Sequence, residues 1–148
     1  MKHVGLAGLA AALLMLCNHA QAATPAENTA VVRGFLDMVF NQHNVPQAFK
    51  QYVGATYTQH NPYVPDGISG ALKGLGGMVA KNPRMHIYIK RTIAEGDLVM
   101  DHNLTIDKPG DRGEAIIDIF RLVDGKIVEH WDVVQPVPAT AANKNTMF

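Results

Sequence analysis

Two apolar runs held apart by Asp124-Gly125 constrain this chain more than any other feature. Ile117 to Val123 and Lys126 to Asp132 flank a dipeptide suited to a tight turn, so the segment predicts a β-hairpin. The same run carries Asp118, Arg121, Glu129, His130, Trp131 and Asp132. Burying a face rich in ionisable groups is costly unless they are paired or needed, so the hairpin is where chemistry is expected.

The start of the chain has a different character. Lys2, the apolar run Val4 to Leu16 and the small-x-small triplet Ala20-Gln21-Ala22 have the order of a secretory signal peptide, with cleavage predicted after Ala22. The apolar run falls short of the roughly 20 residues that a membrane span needs. Cys17 invites a lipidation reading, but bulky Leu16 stands where a lipobox wants a small residue. Trimming at Ala22 leaves 126 of 148 residues, enough for one domain with its own core. The trimmed chain has no cysteine, hence no disulfide, thiolate nucleophile or Cys-bound metal. Basic and acidic residues nearly balance and no basic stripe stands out, which argues against a nucleic-acid partner. The expected product is periplasmic or secreted and, once cleaved, free of the membrane.

Between a polar lead-in and a loose tail (139–148), a single domain is expected over 23–138. Val31, Val32, Phe35, Leu36, Val39 and Phe40 recur at helical spacing. Val45-Pro46 opens a shorter helix through Phe49, Tyr52 and Val53, and 55–60 reads as a short strand. Asn61-Pro62 and Pro65-Asp66-Gly67 mark a loop before a glycine-spotted third helix over 70–82. Four strands follow, over 85–94, 98–107, 114–123 and 126–134. Helices first and an antiparallel meander afterwards define an α+β domain, and a curved sheet wrapped over a long helix leaves a pocket between them.

The stretches Tyr57-Thr58-Gln59-His60-Asn61-Pro62, Asp118-Ile119-Phe120-Arg121 and Gly125-Lys126-Ile127-Val128-Glu129-His130-Trp131-Asp132 resemble the SnoaL-like polyketide cyclase branch of the cone-shaped nuclear-transport-factor-2-like fold. The resemblance covers 26–138. It implies N-terminal helices packed on a curved antiparallel sheet that encloses a pocket. It also implies cofactor-independent acid/base chemistry on a small hydrophobic carbonyl compound, of the aldol-condensation or isomerase type. One aspartate late in the sheet would remove a proton alpha to the carbonyl; Asp132 matches that place best and Asp118 second. Relatives of this kind also include epoxide hydrolases and binders that catalyse nothing.

Which side chains share the pocket depends on the hairpin register. A two-residue loop pairs Val123 with Lys126 and sets Asp118 opposite Trp131 and Ile117 opposite Asp132. A turn with Gly125 as a bulge pairs Leu122 with Lys126 and sets Asp118 opposite His130 and Ile116 opposite Asp132. The bulged register is preferred, because it gathers Ile116, Asp118, Phe120, Val128, His130 and Asp132 on one face. Arg121 is then left to pair with Glu129 on the other. The expected catalytic set is Asp132 as base with His130 and Asp118 as partners. His102, His60, Asn61, Phe120 and Tyr57 are the candidate substrate contacts. Five histidines remain after the leader, but none has HxH or HxxxH spacing, so no metal is expected. Ile117, Ile119, Ile127 and Trp131 would form an apolar outer patch suited to a homodimer, unless the tail covers it. A hydrolase using water would want Arg121 beside two aspartates, an arrangement that only the two-residue register favours.

Overall fold

Helix α1 (Pro25–Phe40) begins where the chain supplies its own cap. The Thr24 side chain accepts from the Glu27 amide while the Glu27 carboxylate accepts from the Thr24 amide, and Pro25 sits where no amide is needed. Val32, Phe35, Leu36 and Val39 recur every three or four residues and are buried as one stripe. The computed structural model describes residues 23–148, so the leader-like segment and Cys17 lie outside the described residues. Helix α2 (Val45–Tyr52) follows an Asn44 cap. Strand β1 (Val53–Gln59) then leads to α3 (Gly67–Lys81), and Asp66 joins the two by accepting from the amides of Gln59 and Gly67. The meander is β2 (His86–Glu95), β3 (Leu98–Ile106), β4 (Glu114–Val123) and β5 (Lys126–Pro136). Among the described residues no helix is long and apolar enough to cross a membrane.

The strands lie in the order β1-β5-β4-β3-β2. β2 to β5 pair antiparallel as expected, whereas β1 joins β5 in parallel, so the sheet is mixed. Helix α1 packs across β2, β3 and β5, and α3 covers β1. Phe35 stands edge-on to Phe49 and to Phe120, at 5.5 and 5.9 Å between ring centres, which ties the helices to the sheet. The domain is thus α+β, three helices on one face of a five-stranded sheet.

Neither expected hairpin register is the one adopted. Asp124 and Gly125 both have left-handed backbone, at φ 49° and 70°, and close a two-residue turn that pairs Val123 with Lys126 and Leu122 with Ile127. One residue later Val128 is extra, so Arg121 pairs with Glu129 and Phe120 with His130. The consequence is that Asp118 faces Asp132, not His130 or Trp131, and Ile116 faces Val134. Because the turn and the bulge each shift the register by one, the side-chain parity comes back. Asp118, Phe120, His130 and Asp132 therefore share a face after all. Ile127 precedes the bulge and is fully buried in the core, not part of the outer patch.

Gly125 has nothing within 4 Å of where a Cβ would stand, so its left-handed backbone is the sole reason for glycine there. Gly125→Ala is expected to cost about 1 kcal/mol through backbone strain alone, read as a lower urea midpoint with an unchanged m-value.

Candidate active site

A cavity of about 300 Å³ lies between the sheet and helices α1 and α3. Phe35, Leu36, Phe40, Leu75, Met85, Ile87 and Phe120 make its apolar wall. Into it project Tyr57, Gln59 and Asn61 from the β1 edge, Asp118 from β4, and His130 and Asp132 from β5.

Register places three aspartates in one row. Asp101 on β3 pairs with Asp118 on β4, which pairs with Asp132 on β5. Like charges directly opposite one another are unfavourable, so each member needs its own compensation. Asp118 Oδ2 accepts from Asn103 Nδ2 at 2.7 Å, and Thr105 in turn donates to Asn103 Oδ1 at 3.1 Å. Asp118 Oδ1 lies 3.0 Å from His130 Nε2. Asp132 Oδ2 accepts from Asn61 Nδ2 at 2.7 Å, and among the described residues no donor reaches its Oδ1. Asp101 is fully buried; Thr92 donates to its Oδ1 while Oδ2 has no partner. Burial, then the neighbouring Asp118 charge, push the Asp101 carboxyl above the usual carboxylate range, which favours the neutral acid.

The hydrogen bonds also fix the state of His130. Gln59 Oε1 accepts the Asn61 amide at 2.9 Å and lies 3.0 Å from His130 Nδ1, so Nδ1 must carry a proton to donate there. One proton then occupies the His130–Asp118 contact, on Nε2 or on Oδ1. In either form the pair holds a transferable proton with no net charge, and it is 8 % exposed at both residues. Asp132, held by Asn61 at Oδ2 and open at Oδ1, is the carboxylate left free to take a proton. Tyr57 stacks at 6.5 Å on the His130 ring. Its burial, reinforced by the Asp118 and Asp132 charges, raises the phenol well above its ordinary pKa, so it stays a donor. Asp118, His130 and Asp132 also bring ligand-capable atoms within 4.8 Å of one another. A metal there would displace the proton that His130 shares with Asp118.

Two expected contacts stand elsewhere. His102 pairs with Ile117 and turns to the opposite face, where its ring meets Phe148 and Arg91. The alternation of β3 misleads here. Met100 and Leu104 look like the buried set, yet Val99, Asp101, Asn103 and Thr105 face inward and the apolar set faces out. His60 is exposed on the outer face, stacked 4.7 Å from Trp131 and bonded to Glu129 at 2.9 Å. Arg121 completes that outer group, with Glu129 at 2.9 Å and Asp97 at 2.7 Å. Asn61 both holds Asp132 and accepts the Tyr63 amide, while Phe120 and Tyr57 form wall. Gln59, Asp101 and Asn103 were missed. The polar alternation of Asp101, Asn103 and Thr105 along β3 is the signal in the sequence that points to this part of the site.

An α+β domain with a cavity of carboxylates and one histidine between helices and sheet is the class that these features define. The chain belongs to the SnoaL-like domain family, whose model matches residues 32–130. Among solved structures, TsrD from Streptomyces laurentii is 22% identical, covering 76% of this chain and 90% of its own, with a TM-score of 0.61. A candidate SnoaL-like polyketide cyclase from Jannaschia sp. CCS1 is 18% identical over 77% and 90%, at 0.62. A candidate isomerase of the SnoaL-like family from Agrobacterium tumefaciens is 14% identical over 74% and 98%, at 0.63. These likenesses establish the shared nuclear-transport-factor-2-like fold. Among curated proteins none matches the chain.

Asp101 gives a pH signature of the row. A carboxyl whose folded pKa is raised favours the folded state while protonated, and that contribution fades as pH climbs from about 4 through the folded value. In urea unfolding between pH 4 and 8, the wild type is expected to lose stability relative to Asp101→Asn as pH rises. A difference that stays constant with pH would contradict a buried neutral acid.

Proposed function

We propose that this protein is a cofactor-independent enzyme that removes a proton alpha to the carbonyl of a small, largely apolar substrate. The observation that carries this reading is Asp132, its Oδ1 open to the cavity, beside a buried Asp118–His130 pair that already holds one proton. In the proposed step the alpha C–H bond breaks toward Asp132 Oδ1, and the electron pair moves onto the carbonyl oxygen. The Tyr57 hydroxyl or the His130–Asp118 proton stabilises the enolate oxygen. The enolate is then consumed by attack on a second carbonyl, as in an aldol ring closure, or by return of the proton to another carbon, as in an isomerase. Membership of the SnoaL-like family supports both outcomes. The leader-like start of the chain supports the further proposal that it works outside the cytoplasm.

The rival reading is a carrier that holds the same kind of molecule without changing it; the apolar wall alone would serve that purpose. A water-using epoxide hydrolase is disfavoured, because among the described residues no arginine lines the cavity and Arg121 is committed to Asp97 and Glu129 on the other face. We also propose that two copies pair through the outer sheet face. Ile93 is 57 % and Val133 69 % exposed, beside partly exposed Met100, Leu104, Ile117, Ile119 and Trp131. Sedimentation at micromolar concentration should give twice the monomer mass, and Ile119→Lys should return it to the monomer.

Deuterium exchange into small ketones and 1,3-dicarbonyls tests the chemistry. The wild type should accelerate exchange, and Asp132→Asn should lower that rate by about 100-fold or more. Saturable ketone binding without exchange would support the carrier instead.

A further inference from the structure

The charge of the cavity wall says which molecules it can hold. Among the described residues its lining includes no lysine and no arginine. It does include four carboxylates: Asp118 and Asp132 within, and Asp107 and Glu114, both exposed, at the outer end. The Asp118–His130 pair is neutral as a unit, since one proton lies between them. That leaves three carboxylates, Asp132, Asp107 and Glu114, on a wall whose other polar members, Tyr57, Gln59, Asn61, Asn82 and Thr105, carry no charge. Neither Asp107 nor Glu114 forms an ion pair among the described residues. Asp107 also borders two adjoining surface clefts that carry cations, Lys81, Arg84 and Lys108 in one and Arg112 in the other, but among the described residues none of these four lines the cavity itself.

We infer that the cavity selects its ligand by charge, accepting uncharged or amine-bearing molecules with an apolar body and rejecting carboxylates and phosphates. This rests on reading the cavity as the ligand site. A ligand anion would lie against Asp132 with no cation to offset it, in surroundings where unlike water the field is weakly screened. Its desolvation would go uncompensated as well. An uncharged carbonyl suffers neither penalty, and it meets the Tyr57 hydroxyl as a donor. A protonated amine directed outward would be drawn toward Asp107 and Glu114, at the end where water still solvates it.

Three ligands on one naphthalene skeleton separate these cases: 2-acetonaphthone (neutral), 2-naphthoate (anion) and 2-naphthylmethylammonium (cation). Calorimetric titration at pH 7.5 and low salt should show naphthoate binding at least about tenfold more weakly than the ketone. The ammonium should bind no more weakly than the ketone. In Asp107→Asn/Glu114→Gln, two exposed positions outside the acid/base set, the gap between ketone and naphthoate should narrow, each affinity being compared within the same variant. Naphthoate binding within threefold of the ketone would overturn the charge rule, as would a gap that the double variant leaves untouched. The readout is independent of turnover. If bound acetonaphthone gains no deuterium in its methyl group, proton transfer is refuted while the charge rule stands; if naphthoate binds well and the ketone still exchanges, the reverse holds.

Discussion

Three aspartates abreast on adjacent strands are the constraint to which the rest of the site answers. Asp101, Asp118 and Asp132 occupy one row of one sheet face, and three ionised carboxylates cannot coexist there at ordinary cost. The fold resolves the conflict differently at each place. Asp101 is walled off and favours the neutral acid under a Thr92 hydroxyl. Asp118 takes an amide donor on one oxygen and the imidazole on the other. Asp132, at the end of the row, is held by Asn61 at one oxygen and left open at the other. A gradient from buried acid to free base thus runs across three strands, and the apolar wall of α1 and α3 faces it.

That row exists because of two small irregularities in one hairpin. The left-handed Asp124-Gly125 turn closes the strands, and the extra Val128 offsets them by one more residue. Without the bulge, Asp118 would face Trp131, and a bulky indole would stand in the acid row. The outer face benefits from the same offset, since Arg121 and Glu129 become direct partners.

Much of the architecture was legible in the chain. Helical spacing over 31–40, the Pro and Gly punctuation and the Asp-Gly turn put the elements near their places, except that the polar lead-in proves to be the capped first turn of α1, which begins at Pro25. The titratable cluster of β4 and β5 was legible too, because period-two alternation survives a shift of two. Two things escaped. The bulge at Val128 leaves no mark in a run of ordinary strand residues. On β3 the usual logic is inverted: Asp101, Asn103 and Thr105 are the inner set, since they serve the other polar groups of the cavity, while Met100 and Leu104 face outward. Sequence reasoning assigns the apolar set to the core, and so it placed His102 inside and left Asn103 unnoticed. A polar interior stripe beside an apolar exterior one is legible only when the neighbouring strands are considered together.

The parallel junction of β1 with β5 has its own consequence. Gln59 and Asn61, which orient His130 and anchor Asp132, come from an edge strand about seventy positions away in sequence. Closing so long a loop is entropically demanding, and an edge held on one side only opens more readily than the interior of a sheet. The β2–β5 meander forms from near neighbours and can exist before that edge docks. Assembly of the proton-handling groups therefore rests on the longest sequence separation of any strand pairing in the sheet. Competence and structure would part company in this molecule: a population could retain nearly all of its strands and yet be chemically silent.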